Sequence, residues 1–220
     1  MGSTRLAEGL AESPEKDAPI RRLDCLLAEI ESAMDLSRQV TIEVDSVGQI
    51  WIDPQHNRYW QQVNDPEAFF ATPSSKAGVK RASPPTMCSP SGPLEELLWD
   101  AAFLGSRGRL FDGNSLHDLI ELSWWPNLTR VAHFQSTFAL CAFLSNRPST
   151  MHLAFRALNV SEREACCFYN AALASGCLNT LKSRSGTAAA LKAVDSGDQQ
   201  ARNRDTVPFW SRLFNRISGL

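Results

Sequence analysis

The sequence predicts an α+β protein that is predominantly helical and is built from two small units. Three observations support this prediction. Apolar residues recur with helical spacing through much of the chain. Two short alternating segments predict a β-hairpin near the N-terminus. Residues 147–178 have the pattern of two helices across a tight turn, which is typical of a helix-turn-helix and often of a winged helix. We therefore expect a small helix-plus-hairpin N-terminal unit and a helical winged-helix-like (helix-turn-helix) C-terminal domain.

Composition divides the chain into six segments. Residues 1–19 are polar and are predicted to be a disordered leader. Residues 72–93 are dense in Pro, Ser and Gly and are predicted to be a linker. The remaining segments are a small α+β unit at 20–71, the winged-helix-like domain at 94–181, a flexible tether at 182–207 and an amphipathic C-terminal helix at 208–220.

The first unit begins with a helix predicted from the amphipathic spacing of Ile20–Met34. The segment Val40–Val44 alternates, and Gln49–Ile52 follows it after a short turn that contains a glycine, so the two predict a hairpin. We expect a third strand at Arg58–Val63. A short helix is predicted to start at Asp65-Pro66-Glu67 and to end near Ala71.

The second unit is predicted to contain mostly helices. A helix beginning at Leu94 stops near Gly105 or Gly108, and Leu116–Leu122 is expected to be a short helix or a turn. The strongly apolar segment Thr129–Ser145 predicts a further helix.

The helix-turn-helix pattern depends on its capping residues. Ser149-Thr150 suits the start of the first helix, and Asn159 suits the left-handed position that ends it. Ser161 and Glu164 have the spacing of a capping box for the second helix, which is expected to end at Gly176.

The charges around this pattern argue against DNA binding. Residues 94–182 hold eight acidic and seven basic side chains, so the domain lacks the excess of cations that supplies most DNA affinity. Glu162 and Glu164 occupy the first turn of the would-be recognition helix, where phosphates would repel them. We therefore expect a protein partner. A DNA-binding transcriptional regulator that uses the helix at 161–175 is the alternative.

Composition and cysteine usage exclude several other classes. The net charge is −2, and no apolar run is long enough to span a bilayer. The N-terminus lacks the apolar stretch of a secretory signal, so we expect a cytoplasmic protein. The six cysteines form no CxxC pair, so we expect neither disulfides nor a metal site. Because no catalytic motif is present, we predict no enzymatic activity and no cofactor. A thiol–imidazole pair of Cys166 or Cys167 with His133 or His152 is the enzymatic alternative.

Two aromatic segments are the predicted partner-binding elements. The first is the connection around Trp124-Trp125-Pro126, although core packing is the simpler interpretation of its tryptophans. The second is the C-terminal segment Phe209–Ile217, which is also compatible with docking on the core, in a partner's groove or at a membrane surface. The predicted contact residues are Trp124, Trp125, Asn127 and Arg130 in the first, and Phe209, Trp210, Leu213, Phe214 and Ile217 in the second.

A glycine- and arginine-rich loop at 105–113 is a further candidate. Arg107 and Arg109 have the chemistry to bind an anionic ligand such as a nucleotide phosphate. The loop lacks the Gly-Lys-Ser/Thr of a P-loop, so a solvated turn between two helices is the simpler interpretation. A regulator that binds a small anion here is the second alternative.

Three short motifs carry a resemblance to known proteins. They are Trp125-Pro126-Asn127-Leu128-Thr129-Arg130, Arg147-Pro148 and Phe168-Tyr169-Asn170-Ala171-Ala172. Over residues 94–178 the chain resembles a family of uncharacterised proteobacterial proteins, and its helix-turn-helix part is similar to the winged-helix regions of bacterial signalling adaptors, including those of PATAN type. The resemblance implies an adaptor or regulator in cytoplasmic signalling. Its implied partners are a signalling GTPase of the small Ras-like type or a roadblock protein in motility or type IV pilus systems.

Overall fold

The structure is a computed structural model that describes residues 19–81 and 89–181. These residues form six α-helices and seven β-strands. The first part of the chain contains α1 (Leu26–Asp35), β1 (Val40–Val44), β2 (Gly48–Asp53), β3 (Arg58–Val63), α2 (Pro66–Phe70) and β4 (Gly78–Lys80). The second contains α3 (Leu94–Gly105), β5 (Leu119–Leu122), α4 (Ser136–Asn146), β6 (Ser149–Thr150), α5 (Met151–Ala157), α6 (Glu162–Ala174) and β7 (Leu178–Leu181).

The fold class predicted from the sequence is wrong. The strands form two antiparallel sheets, one of four strands in the order β3-β2-β1-β4 and one of three in the order β6-β5-β7. The described residues are therefore a mixed α and β structure, and a predominantly helical, winged-helix-like protein is not what they form. The predicted leader, tether and C-terminal helix at 208–220 lie outside the described residues, apart from residue 19.

The four-stranded sheet is built around the hairpin that the sequence predicted. Ile42 on β1 faces Ile50 on β2 in the strand register, and β3 pairs with β2 on the other side. The apolar face of the sheet, which includes Ile42, Ile50 and Ile52, is fully buried. α1 supplies Leu27 and Ile30 to the same core, so the helix starts six residues later than predicted but buries the expected face.

β4 forms within the interval that composition assigned to a linker. Gly78, Val79 and Lys80 pair with Glu43, Ile42 and Thr41 of β1. The pairing joins residues about forty positions apart, and a three-residue strand between Pro- and Ser-rich segments carries no period of its own. The local sequence therefore holds no signal for this strand.

α3 packs against helices from both parts of the chain. Eight of its twelve residues are buried, and it contacts α1, α2 and α6. Its Trp99 ring meets the ring of Phe168 on α6 edge to face, with centroids 5.9 Å apart. One continuous cluster of buried residues runs from Cys25 to Leu178, so the two predicted units share a core in the part of the chain described here.

The capping positions predicted at Thr150, Ser161 and Asn159 are confirmed. The Thr150 side chain accepts a hydrogen bond from the Leu153 amide, and the Ser161 side chain accepts one from the Glu164 amide. Asn159 has the expected left-handed backbone, with φ of +53°. The capping box is only half formed, because the Glu164 carboxylate accepts instead from the Ser136 hydroxyl at 2.9 Å.

The environment of α6 differs from that of a recognition helix. Nine of its thirteen residues are buried, and they include Phe168, Tyr169 and Asn170. The Asn170 amide donates to the carbonyl of Arg109 at 2.8 Å and accepts from the amide of Phe111 at 3.2 Å. α6 therefore lies in the core and holds the loop that follows α3.

Two element assignments in the second unit are also corrected. Leu119–Leu122, expected to be a helix or a turn, forms β5 and pairs with both β6 and β7. The helix predicted for Thr129–Ser145 starts only at Ser136. Residues 123–135 form a connecting loop instead, because hydrogen bonds to α3 hold part of this loop in place.

Candidate interaction surface

The loop between β5 and α4 is attached to α3 by its residues Arg130 and Ala132. Arg130 forms an ion pair with Glu96, with 2.9 Å between Nε and Oε2. The Ala132 amide donates to Asp100 Oδ1 at 2.7 Å, and the Trp99 indole donates to the Ala132 carbonyl at 2.7 Å. Three polar contacts thus fix the position of a segment that has no regular secondary structure.

Arg130 also connects this loop to the end of the predicted linker. The Arg130 guanidinium also donates to the carbonyl of Ser91. A side chain at Gly92 would meet Glu96, Arg130 and the Tyr59 ring, whose Cε1 would be 3.2 Å from the added carbon. A larger residue at Gly92 would therefore displace the ends of the Glu96 and Arg130 side chains, which form the ion pair. Arg130, predicted to contact a partner, is engaged within the protein.

Burial raises the pKa values of two groups near this attachment, Asp100 and Tyr59. Desolvation, with a smaller contribution from Glu96, raises the pKa of Asp100 to about 6, although the Ala132 amide opposes the shift. Desolvation also raises the pKa of Tyr59 to about 12, with Asp100 and Glu96 adding to it. Asp100 serves the attachment of the loop, and protonation of its carboxylate would weaken the hydrogen bond that it accepts from the Ala132 amide.

The two adjacent tryptophans have different roles. Trp124 packs against the core, and its indole nitrogen is buried without a hydrogen-bond partner in the described residues. Trp125 is 48 % exposed, and its indole donates to the Ser145 hydroxyl at 2.8 Å. The Ser145 hydroxyl in turn donates to the Cys141 carbonyl at 2.8 Å. Trp125 is therefore held against the outside of α4.

The outer side of α4 continues this exposed apolar area. Phe138 is 51 % exposed, and Ala142 and Ser145 follow it at helical spacing on the same side. The His133 ring packs edge to face on Phe138, with centroids 5.7 Å apart. We define the α4 surface as the exposed residues Trp125, Phe138, Ala139, Ala142 and Ser145.

The α4 surface is unusual because it contains no charge. No residue of Ser136–Asn146 is charged, whereas the exposed side of a surface helix usually carries charged or polar residues. Leu140, Cys141 and Leu144 fill the inner side of the helix. Phe138 was not among the residues predicted to lie on a contact surface. The absence of charge along an eleven-residue helix was the available signal, since a helix that is apolar all round needs a neighbour on every side.

Of the two predicted anion-binding arginines, Arg107 has its guanidinium engaged within the protein. The Arg107 guanidinium donates to the carbonyl of Ala71, the residue that ends α2. Arg109 contributes its carbonyl to Asn170, and its amide donates to the Ser106 carbonyl at 2.9 Å. Arg107 thus caps the C-terminal end of α2, which favours a positive charge. This structural role accounts for the Arg107 side chain.

Asn127 lies exposed in the loop between β5 and α4, where its side-chain oxygen accepts a hydrogen bond from the Thr129 hydroxyl at 2.8 Å. It is therefore used in the local turn. The other predicted contact residues, Phe209, Trp210, Leu213, Phe214 and Ile217, lie outside the described residues.

The described cysteines are buried thiols. Burial raises the pKa of Cys141, Cys166 and Cys177 to about 12, so each stays protonated near neutral pH. The hydroxyl of Ser106 lies 3.5 Å from the sulfur of Cys167. Among the described residues, no group of three His, Cys, Asp or Glu side chains is arranged to hold a metal ion.

No helix within residues 19–81 and 89–181 is long and apolar enough to cross a membrane. No family model, curated protein or solved structure matches the chain. The family resemblance of residues 94–178 therefore stays an expectation from the sequence.

Proposed function

We propose that this protein is a non-enzymatic adaptor or regulator whose partner protein docks on the α4 surface. The observation that carries the proposal is an exposed helix without a charged residue, bordered by a half-exposed tryptophan. Exposed apolar patches of this kind are typical of protein contact sites. Aromatic side chains, and tryptophan above all, contribute most of the affinity at such sites.

The attachment of the loop supports this proposal. A side chain that is already held in place loses little conformational freedom when a partner binds, so more of the contact energy appears as affinity. Trp125 is held by its bond to Ser145, and the loop that carries it is held by Arg130 and Ala132. Trp125 is therefore the expected centre of the contact.

The expected setting is bacterial cytoplasmic signalling, as the resemblance of residues 94–178 implies. A signalling GTPase or a motility regulator would be the partner. The basic and aromatic segment Phe209–Ile217 is the second proposed contact element, on the partner or at a membrane surface.

The test is an affinity capture with the full-length protein, followed by a binding measurement with the purified partner. We expect Trp125→Ala and Phe138→Ala each to raise the dissociation constant about tenfold or more, which is the size of effect seen at central contact residues. Leu23→Ala is the matched control, because Leu23 is 71 % exposed and lies in the turn before α1.

Equal loss of binding in Leu23→Ala would show that the α4 surface has no special role. A partner that binds both α4 variants as tightly as the unaltered protein would overturn the proposal. Thermal unfolding of each variant, followed by circular dichroism, separates a lost contact from a lost fold.

A further inference from the structure

A second exposed feature lies at the edge of the four-stranded sheet. β4 is the last strand on its side, and no described residue pairs with its outer edge. All three of its residues are exposed, and Val79 is 45 % exposed. An open strand edge offers unpaired backbone amides and carbonyls to an incoming extended chain.

A groove runs beside this edge. It has a volume of about 180 Å³ and lies between the C-terminal half of α1 and β4. Its apolar lining comes from Ala33, Leu36, Val40 and Val79. Leu36 is 53 % exposed, so the groove opens to solvent along an apolar wall.

The charges around the groove are mostly positive. Arg38, Lys80 and Arg81 line it, against the single carboxylate of Glu29. Lys80 pairs with Glu43 at 2.8 Å, whereas Arg38 and Arg81 form no ion pair with any described residue. Two unneutralised guanidinium groups therefore lie beside an open strand edge.

We propose that β4 and this groove bind an extended acidic segment of a partner protein. The segment would pair as a fifth strand with the outer edge of β4 and would place one apolar side chain in the groove. Its carboxylates would meet Arg38 and Arg81, which match carboxylate geometry through paired donors. The proposal does not depend on the α4 surface, since it uses none of the same residues.

The size and shape of the site favour a peptide over a small ligand. Pockets for drug-sized molecules have volumes of roughly 300–1,000 Å³. The groove at 180 Å³ is smaller and open, and it suits one or two side chains of a longer chain. The backbone edge of β4 adds hydrogen-bonding groups that a strand would use and that a nucleic acid would not.

The experiment measures binding of a short fluorescein-labelled peptide to the full-length protein by fluorescence anisotropy. The peptide sequence is Thr-Glu-Thr-Val-Thr-Glu-Thr, which places Val and both Glu side chains on one face of an extended strand. We expect binding that weakens with added salt, because the rim charges are exposed and screened. Charge reversal in Arg38→Glu plus Arg81→Glu should weaken it about tenfold or more. The matched control is Arg58→Glu plus Arg156→Glu, which changes the net charge equally at two exposed arginines away from the groove.

Strand pairing has its own test. A peptide of the same sequence with alternate backbone nitrogens methylated cannot donate along one edge, so we expect it to lose binding. Hydrogen exchange should slow at the β4 amides that point to the outer edge, which alternate along the strand, when the unmethylated peptide is bound. Equal binding of the methylated peptide, or protection that maps elsewhere, would overturn the strand-pairing proposal.

Two further binding measurements test whether the partner is an acidic peptide. Equal binding of the peptide with Lys in place of both Glu residues would overturn the proposal that the segment is acidic. Binding of a single-stranded oligonucleotide that depends on Arg38 and Arg81, without binding of the acidic peptide, would overturn the proposal in favour of nucleic acid. If charge reversal disturbs the fold, Arg38→Gln plus Arg81→Gln gives the same comparison with neutral side chains.

Discussion

Asp100 links the protonation of one carboxyl group to the attachment of the Trp125 loop. Its raised pKa, about 6, follows mainly from burial. The folded protein therefore binds a proton at Asp100 more readily than the unfolded chain does. This favourable contribution is fully present below the unfolded pKa, near 4, and is lost as the pH rises through about 6.

We expect Asp100→Asn to stabilise the protein at pH 7.5. Asparagine is neutral and keeps an oxygen that can accept the Ala132 amide. The gain in the free energy of unfolding should be on the order of 1–3 kcal/mol, from about 1.4 kcal/mol for each unit of pKa shift. The unfolding free energy, measured by urea denaturation between pH 4 and pH 8, should also vary less with pH than in the unaltered protein.

Asp100→Ala provides the control, because it removes both the charge and the acceptor. It should destabilise the protein relative to Asp100→Asn at every pH, since the Ala132 amide loses its partner. A pH dependence in Asp100→Asn that equals that of the unaltered protein would show that another group is responsible.

Individual residues of the candidate surface were only partly predictable. The aromatic and polar character of Trp124, Trp125, Asn127 and Arg130 marked the loop. The sequence did not show that Trp125 is exposed while Trp124 packs inward. That difference depends on where α4 passes, because the Ser145 hydroxyl fixes the Trp125 indole. Phe138 was missed because its exposure depends on the same packing.

The helix α6 has the sequence pattern of a recognition helix, but most of its residues are buried in the core. Its start was predictable, because a capping side chain bonds an amide only three residues away. Its burial was not predictable, since this depends on contacts with α3, which is about seventy residues distant in sequence. The Arg163 side chain lies over Gly108, where a Cβ atom would contact its stem.

We expect the full-length protein not to be retained on duplex DNA even at low salt. The buried residues of α6 cannot enter a groove, and its first turn carries Glu162 and Glu164. Retention on a DNA column, read as the salt concentration of elution, measures this. Salt-sensitive retention that is lost in Arg163→Glu would instead support the DNA-binding alternative.

The strands β4 and β5, unlike the start of α6, have no local pattern that predicts them. Each is short, and each pairs with a partner remote in the chain: β4 with β1, and β5 with β6 and β7. A strand of three or four residues has too few alternating positions to establish a period. Its pairing therefore depends on the positions of the remote strands.

The shared core has a consequence for the stability of the whole molecule. α3 contacts helices from both predicted units, and the buried cluster is continuous between them. Neither unit keeps its apolar surface buried if the other unfolds. The two halves should therefore unfold together.

We expect a single cooperative thermal transition. Far-ultraviolet circular dichroism and tryptophan fluorescence should give the same midpoint, because Trp51 and Trp60 report on the first sheet and Trp99 on α3. A calorimetric enthalpy equal to the van't Hoff enthalpy would agree with this expectation. Two resolved transitions would contradict it and would favour two independent units.

The amino-acid order alone determines the elements whose signals are local: α3, the β1–β2 hairpin, and the caps at Thr150, Ser161 and Asn159. These depend on side-chain periodicity and on hydrogen bonds that span a few residues. Long-range packing determines the rest. It adds β4 and β5 to their sheets, buries α6 and joins the two predicted units. It also leaves the uncharged side of α4 and the edge of β4 exposed, because these are the surfaces that no other described element reaches.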